Sequence, residues 1–479
     1  MDILVVATEL APYARIGGLA DVVAALTKTL RQHGHNVTLA LPRFPCFERA
    51  GLLVARRLNA LSIDTAPAPI AVTVYDGRLP SGVDVNLLDV PGFFDRDGIY
   101  GDAERDYADN PERFSLFCRA AVALARQRAQ AGSPFDVIHA HDWPAALVPL
   151  YLRTTADDAT PPTVFTVHNL AHQGIVDANR LEALAIPRSL FNPDGVEFYG
   201  RINILKAGLV YADAITTVSR TYAEEIRTPE HGRGLDGVLS ARSHRLTGIV
   251  NGIDYAVWNP ATDAHIASHY DAENPSGKAL CKTSLLTELS LEMVPSRPVI
   301  AVVGRLVERK GIDILIQTLN KLFLSDIALV VAGDGEAAII RRLDAARDRF
   351  PGRFAFVRSP SDPLVHRIIA GADMVLLPSR FEPCGTMQLC GQRYGAVPIA
   401  RATGGLVDTV VDCDAALTTG TGFAFDEASA AGLLSGVQRA VAAFHGPHWS
   451  KLRRRVMRLD LSWDRPAHQY ALLYRSLRP

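Results

Sequence analysis

Short, apolar, β-branched runs alternate with segments of helical spacing along almost all of this 479-residue chain. The first run is Ile3-Leu-Val-Val-Ala-Thr8. After it, Leu19, Val22, Val23, Leu26 and Leu30 fall on one helical face, and Gly34 closes the pattern. Further strands are predicted over 37–41, 85–90, 136–141, 163–168 and 214–219, then over 298–304, 327–333, 354–358, 374–378 and 397–401. Helical patterns separate most of them. One opens at Asn110-Pro111-Glu112, a cap followed by proline in the first turn. Another carries Ile204, Leu205, Gly208, Leu209 and Tyr211, and a third covers 312–322. Such alternation specifies an α/β fold of mainly parallel, doubly wound sheets with helices on both faces.

The remaining composition narrows the class. Hydrophobic residues make up 48% and charged residues 21%, an ordinary globular balance. Length allows about three domains, and two large ones fit equally well. A net charge of -1 implies neither a polyanion-binding tail nor a basic membrane-binding patch, so no nucleic-acid or membrane partner is expected. The N-terminus reads as a strand and not as a signal peptide, and no apolar run approaches the ~20 residues of a membrane helix. Cys46, Cys118, Cys281, Cys384, Cys390 and Cys413 are scattered without a CxxC, as expected of reduced thiols in a cytoplasmic protein.

Two glycine turns point to ligand chemistry. Arg15-Ile-Gly-Gly-Leu-Ala-Asp21 follows the first strand and opens a helix, a common anion cradle. Paired glycines also serve tight packing, and Arg15 beside them favours the anion. Gly404-Gly-Leu-Val-Asp408 repeats the unit far along the chain, which points to two similar halves. Between the two, the strand at 374–378 runs into Arg380-Phe-Glu-Pro-Cys-Gly385. Glu382 therefore sits at a strand's carboxyl end, where open α/β sheets hold ligands. Gly304-Arg-Leu-Val-Glu-Arg-Lys-Gly311 also follows a strand. There Arg305 can clamp a phosphate bidentately and Lys310 can add a point charge; the alternative is a basic surface loop.

His139 and His141 of Ile138-His-Ala-His-Asp-Trp143 share a strand face, with Asp142 at the exit. A metal site there lacks a third ligand at metal spacing, so none is assigned. Thr166-Val-His-Asn169 ends the next strand, which leaves His168 either facing the same cleft or buried and satisfied. Asp412-Cys-Asp414 reads as a helix end and not as a metal motif. The segment 246–260, with Asn251-Gly-Ile-Asp254, is the expected crossing between halves. A terminal helix carries Trp463, Tyr470, Leu473, Tyr474 and Leu477.

Arg15…Asp21, His141-Asp-Trp143, Thr166-Val-His-Asn169, Asn251-Gly-Ile-Asp254, Arg305…Lys310-Gly311, Arg380…Gly385, Thr403-Gly-Gly-Leu406 and Ser462-Trp-Asp464 occur in the order seen in bacterial glycogen synthases and plant starch synthases, and the chain resembles that family from Met1 to its terminal helix. The resemblance implies a GT-B fold of two Rossmann-like domains with the active site in the cleft between them. The expected domains are 1–245 on the acceptor side, 246–457 on the donor side, and a terminal helix, 458–479, that crosses back to the first domain. It implies transfer of glucose, with retention, from ADP-glucose to the non-reducing-end 4-hydroxyl of an α-1,4-glucan, without a cofactor. By resemblance Glu382 contacts the donor glucose. Arg305, Lys310 and backbone amides near Cys384, Gly385 and Thr386 stabilise the departing diphosphate. Asp142 contacts sugar or acceptor, and the His168 carbonyl supports the developing oxocarbenium. Arg15, Gly17, Gly18 and Asp21 reach the donor phosphates and nucleoside, Asn251 lies beside the glucose, and Tyr100 lines the cleft.

The chain departs from the family at several of these positions. Lys-Thr-Gly-Gly reads Arg15-Ile-Gly-Gly18, Gly-Leu-Thr-Gln reads Gly385-Thr-Met-Gln388, and a Gly-Tyr pair near adenine reads Ser359-Pro360. UDP-glucose as donor, another acceptor, or a weakly active glucan-binding role are therefore alternatives. A phosphorylase is disfavoured, since it would need pyridoxal phosphate on a lysine and the chain lacks that family's bulk and motifs.

Overall fold

The structure, a computed structural model, describes residues 1–65, 68–102, 105–154 and 160–478. The chain divides into two compact units: Met1–Ile249 with Trp463–Pro479, and Val250–Ser462.

The first unit is built on a ten-stranded sheet. From one edge, Leu246–Gly248, Ala214–Thr217, Thr163–Val167, Val137–His141, Asp2–Val6, Asn36–Pro42 and Asp84–Asp89 run parallel. Ile70–Arg78 then adds antiparallel and carries Val54–Arg56 and Leu61–Ile63. Six of these parallel strands match predicted runs because they are largely apolar and mostly buried; Leu246–Gly248, only partly buried and read from sequence as a crossing segment, was not predicted. Ile70–Arg78 escaped prediction because it alternates: Val72 and Val74 are buried, while Ala71, Thr73 and Tyr75 are exposed or partly exposed. A separate antiparallel sheet of Ile175–Asp177, Glu197–Phe198 and Arg201–Asn203 has strands too short for any periodicity to register.

Helix Gly18–Gln32 packs on strand Asn36–Pro42 with Leu19, Val22, Val23, Leu26 and Leu30 buried. It ends in a Schellman motif: the Gly34 amide donates to the Arg31 carbonyl and the His35 amide to that of Leu30, with Gly34 at φ +85°. The terminal helix Asp464–Ser476 belongs to this unit. It buries Tyr470 and Tyr474, and the Tyr474 hydroxyl meets His139 Nδ1 at 2.7 Å.

The second unit holds a six-stranded parallel sheet in the order Phe354–Arg358, Ala328–Gly333, Val299–Val303, Met374–Leu377, Val397–Arg401, Phe423–Phe425. Alternation along Val299–Val303 sends Ile300 and Val302 into one core and Val299 and Ala301 into the other, so helices are needed on both faces. Asp373, just before a central strand, accepts from Lys282 Nζ at 2.7 Å, Arg453 at 3.1 Å and the Val299 amide at 3.0 Å. This ties the amino ends of two strands to two helices. Asp412-Cys-Asp414 is not a helix end. The helix Gly405–Thr409 stops earlier, Asp412 bridges to Gly422 and pairs with Arg439, and Asp414 caps the Thr418–Thr419 turn. No helix among the described residues is long and apolar enough to cross a membrane.

Each parallel sheet has one point where strand order reverses. In the first unit it lies between Asp2–Val6 and Val137–His141; in the second, between Val299–Val303 and Met374–Leu377. Carboxyl-end loops diverge there and leave a crevice for ligands.

Candidate active site

In the second unit the two loops at the reversal are Gly304–Gly311 and the segment from Pro378 to Gly385, and side chains stitch them together. Lys310 Nζ donates to Glu382 Oε2, and Ser379 Oγ donates to the same oxygen at 3.1 Å. Arg380 closes a bidentate pair with Asp313 at 2.6 and 2.7 Å and reaches the Glu308 carbonyl at 2.6 Å. Gly311 has φ +71°, and a Cβ there would lie 2.0 Å from the Pro378 carbonyl oxygen, so only glycine lets the loops approach this closely. Glu382 is 6% exposed. It is thus a buried carboxylate held against a lysine, which fixes its orientation. Arg305 leads the other loop; it is exposed and has no protein partner for its guanidinium among the described residues.

The turn beyond Glu382 is also pinned. The Gly405 amide donates to the Glu382 and Pro383 carbonyls at 3.1 Å each. A Cβ on Gly405 would strike the Cys384 backbone at 2.4 Å. Buried Asn251 lies beside Cys384, and burial pushes the Cys384 thiol up to about 12. Gly385 sits at φ +72° and Thr386 is the N-cap of helix Met387–Arg393. The structure therefore brings Glu382, Lys310, Asn251, Cys384, Gly385 and Thr386 around one set of loops.

The first unit assembles a second polar cluster at its own reversal. Glu9 leaves the first strand and accepts from the Ile16 and Gly17 amides at 2.9 Å each. Its other oxygen accepts from the Tyr100 hydroxyl at 2.8 Å, and Thr8 Oγ1 lies 2.7 Å from that hydroxyl. Burial, with Glu9 adding to it, lifts Tyr100 well above its ordinary value, so it remains a phenol. Asp142 adopts φ +57° and accepts from the His168 amide at 2.8 Å. Burial pushes its carboxyl up to about 7, Glu9 adding in the same direction and the His168 and Asn169 amides opposing. His141 Nδ1 and His168 Nε2 are 2.9 Å apart, and burial lowers both rings, His168 to about 3. Two neutral imidazoles share one proton-donating contact there. His139 spends both ring nitrogens on Tyr474 and Thr166. No group of three His, Cys, Asp or Glu side chains among the described residues is placed to hold a metal ion.

The two glycine turns differ. A Cβ on Gly17 or Gly18 would meet nothing within 4 Å, so these glycines serve no tight packing, whereas Gly405 does. Arg15 pairs with Asp21 at 3.1 Å on the surface. Sequence reasoning missed Glu9, Ser379, the Arg380–Asp313 pair and the contact of His141 with His168. Glu9 alone had a usable signal: an acid at the carboxyl end of the first strand.

Two parallel-sheet units, one of them with a basic loop set against a buried carboxylate at its reversal, are the architecture that comparison with known proteins identifies as a glycosyltransferase of the GT-B class. Residues 2–241 match the family model described as starch synthase catalytic domain, and residues 290–443 match glycosyl transferases group 1. Among curated relatives, Glycogen synthase 2 of Geobacter sulfurreducens is 42% identical over 99% of this chain and 98% of its own length. Glycogen synthase of an Anaeromyxobacter species is 44% identical over 100% and 99%. Among solved structures, the catalytic domain of starch synthase IV from Arabidopsis thaliana, bound to ADP and acarbose, superposes with a TM-score of 0.91 at 32% identity, covering 99% of each chain. A sucrose-phosphate synthase from Thermosynechococcus elongatus, 19% identical with a TM-score of 0.61, shares the fold. The chain belongs to the glycogen synthase and starch synthase family.

Proposed function

We propose that this enzyme transfers glucose from ADP-glucose to the non-reducing-end 4-hydroxyl of an α-1,4-glucan with retention of configuration. The observation that carries this reading is the buried Glu382 carboxylate held by Lys310 and Ser379 at the second unit's strand reversal. Arg305 and Lys310 stabilise the negative charge that develops on the departing diphosphate. For Lys310 this requires a switch from Glu382 to phosphate, which frees the Glu382 carboxylate for the donor glucose. Asn251, Cys384, Gly385 and Thr386 line the sugar and phosphate positions. Asp142, the His168 carbonyl and Tyr100 serve the glucosyl group and acceptor, and Arg15, Gly17, Gly18 and Asp21 serve the donor phosphates and nucleoside. The starch synthase IV neighbour's bound ADP and acarbose support an adenine nucleotide and a glucan-like ligand. A cytoplasmic location is part of the same proposal and rests on the relatives' named role.

UDP-glucose as donor is the second reading, favoured by Ser359-Pro360 at the end of strand Phe354–Arg358, where no aromatic ring is offered to a base. Calorimetric titration with ADP and UDP, on the wild type and on the Arg305→Ala, Lys310→Ala double variant, tests both readings. ADP should bind more tightly than UDP, and the double variant should lose roughly tenfold or more in affinity, as when charge-assisted phosphate contacts are removed. Equal ADP affinity in wild type and double variant would remove the phosphate clamp.

A further inference from the structure

The small antiparallel sheet of the first unit ends in a hairpin whose tip is unusual. Strands Glu197–Phe198 and Arg201–Asn203 pair with Phe198 opposite Arg201, leaving Tyr199 and Gly200 as a two-residue loop. Both have positive φ, +50° and +77°, the requirement of a type I′ turn. Asn, Asp or Gly meets that requirement at the first position with little strain; tyrosine does not. The strained residue is also 81% exposed, so no core packing compensates. Backbone strain retained at a surface position is a marker of function.

The ring is nevertheless held in place. Phe198 meets it edge to face, with centroids 4.7 Å apart at 83°. Gly234 lies beneath: a Cβ there would sit 2.9 Å from the Phe198 ring and 3.4 Å from the Tyr199 ring. Gly234 thus leaves room for both aromatics. Hydrogen-bonding groups surround the platform. Glu197 accepts from the Gly200 amide at 2.6 Å, Arg201 pairs with Asp177 at 3.4 Å, and Arg233, next to Gly234, is exposed.

We infer that Tyr199 is a stacking platform for a pyranose ring of an α-glucan, outside the reaction centre. The inference rests on the glucan acceptor proposed above. A pyranose offers an apolar C–H face to an aromatic ring and a rim of hydroxyls to charged side chains, and this tip presents both features. A polymer held there stays near the enzyme between transfers, which raises its effective concentration at the reaction centre.

Tyr199→Asn is the informative variant, because asparagine suits the turn and preserves the hairpin. Affinity electrophoresis of the full chain in gels containing glycogen is the test, with maltotriose-primed turnover measured in parallel. The expected result is glycogen affinity weakened roughly three- to tenfold, the range of one aromatic contact. Maltotriose-primed turnover should stay unchanged, and Tyr199→Phe should retain wild-type retardation. Wild-type retardation in the asparagine variant, no retardation of the wild type, or a sedimentation change without a change in glycogen affinity would each overturn the platform. Tyr199-dependent retardation in a protein that transfers no glucose would sink the proposed reaction and leave the platform standing.

Discussion

Replacing Asp142 with asparagine should stabilise the first unit, and increasingly so as pH rises. Asp142 is buried beside Glu9, and its carboxyl is pushed from 3.8 up to about 7. The unfolded chain ionises near the lower value. Below it both states are protonated and no penalty exists. As pH rises toward 7 the unfolded chain sheds the proton while the folded one keeps it, and stability falls throughout that window. Between pH 5 and the folded value lie about two units at about 1.4 kcal/mol each, or about 3 kcal/mol. Asparagine retains an oxygen for the His168 amide and tolerates φ +57°, so it escapes this pH-dependent loss, and the weaker acceptance from the Asn169 amide is a cost that does not vary with pH. The advantage of Asp142→Asn over wild type should therefore widen by about 3 kcal/mol from pH 5 to pH 8. At 2–4 °C per kcal/mol this is roughly 6–12 °C in Tm by calorimetry. Transfer activity should drop in the same variant, a trade of stability against function. A constant stability difference across that pH range would refute the claim that burial penalises the Asp142 carboxylate.

Glu382→Gln should cut turnover by roughly 10²–10³-fold or more while circular dichroism and Tm stay close to wild type; substantial residual turnover would remove its assigned role. Tyr474→Phe leaves His139 Nδ1 without its partner and should cost about 1–3 kcal/mol, read as a lower Tm of the first unit. Asp263→Ala should cost about 3 kcal/mol in the second unit, because His366 Nδ1 and the Tyr394 hydroxyl both meet Asp263 Oδ2 at 2.7 Å. Burial pushes the Asp263 carboxyl up, but the Tyr394, His265 and His366 contacts outweigh it and hold it low. Its stabilising effect is therefore present above the unfolded value and fades as pH falls through the folded one, so variant and wild type should converge in acid.

The central parallel strands were legible because a strand buried on both faces favours a continuous apolar run, whereas the three-residue edge strands Leu246–Gly248 and Phe423–Phe425 are too short to register. The loops at their carboxyl ends were legible for a related reason: Gly304–Gly311 and Arg380…Gly385 break such runs with charge and glycine. Ile70–Arg78 was not, since a one-faced strand alternates and reads like much of the surface. Single side chains that complete the clusters were hidden for a different reason. Ser379 matters only because it reaches the same oxygen as Lys310, and Asp313 only because helix Ile312–Leu322 delivers it to Arg380. Contacts between loops 70 residues apart leave no local pattern. The histidines show the converse. Their alternation on one strand face was visible, but their meaning came from their partners: His139 is a packing residue tied to the terminal helix, while His141 meets His168.

Nucleotide release from ADP-glucose and from UDP-glucose, each with and without a maltooligosaccharide primer, and with chain extension followed, tests the central claim most directly. ADP release should depend on primer and yield chains lengthened by glucose, with UDP-glucose the poorer donor. Release without extension, a preference for UDP-glucose, or no turnover of either donor would contradict it.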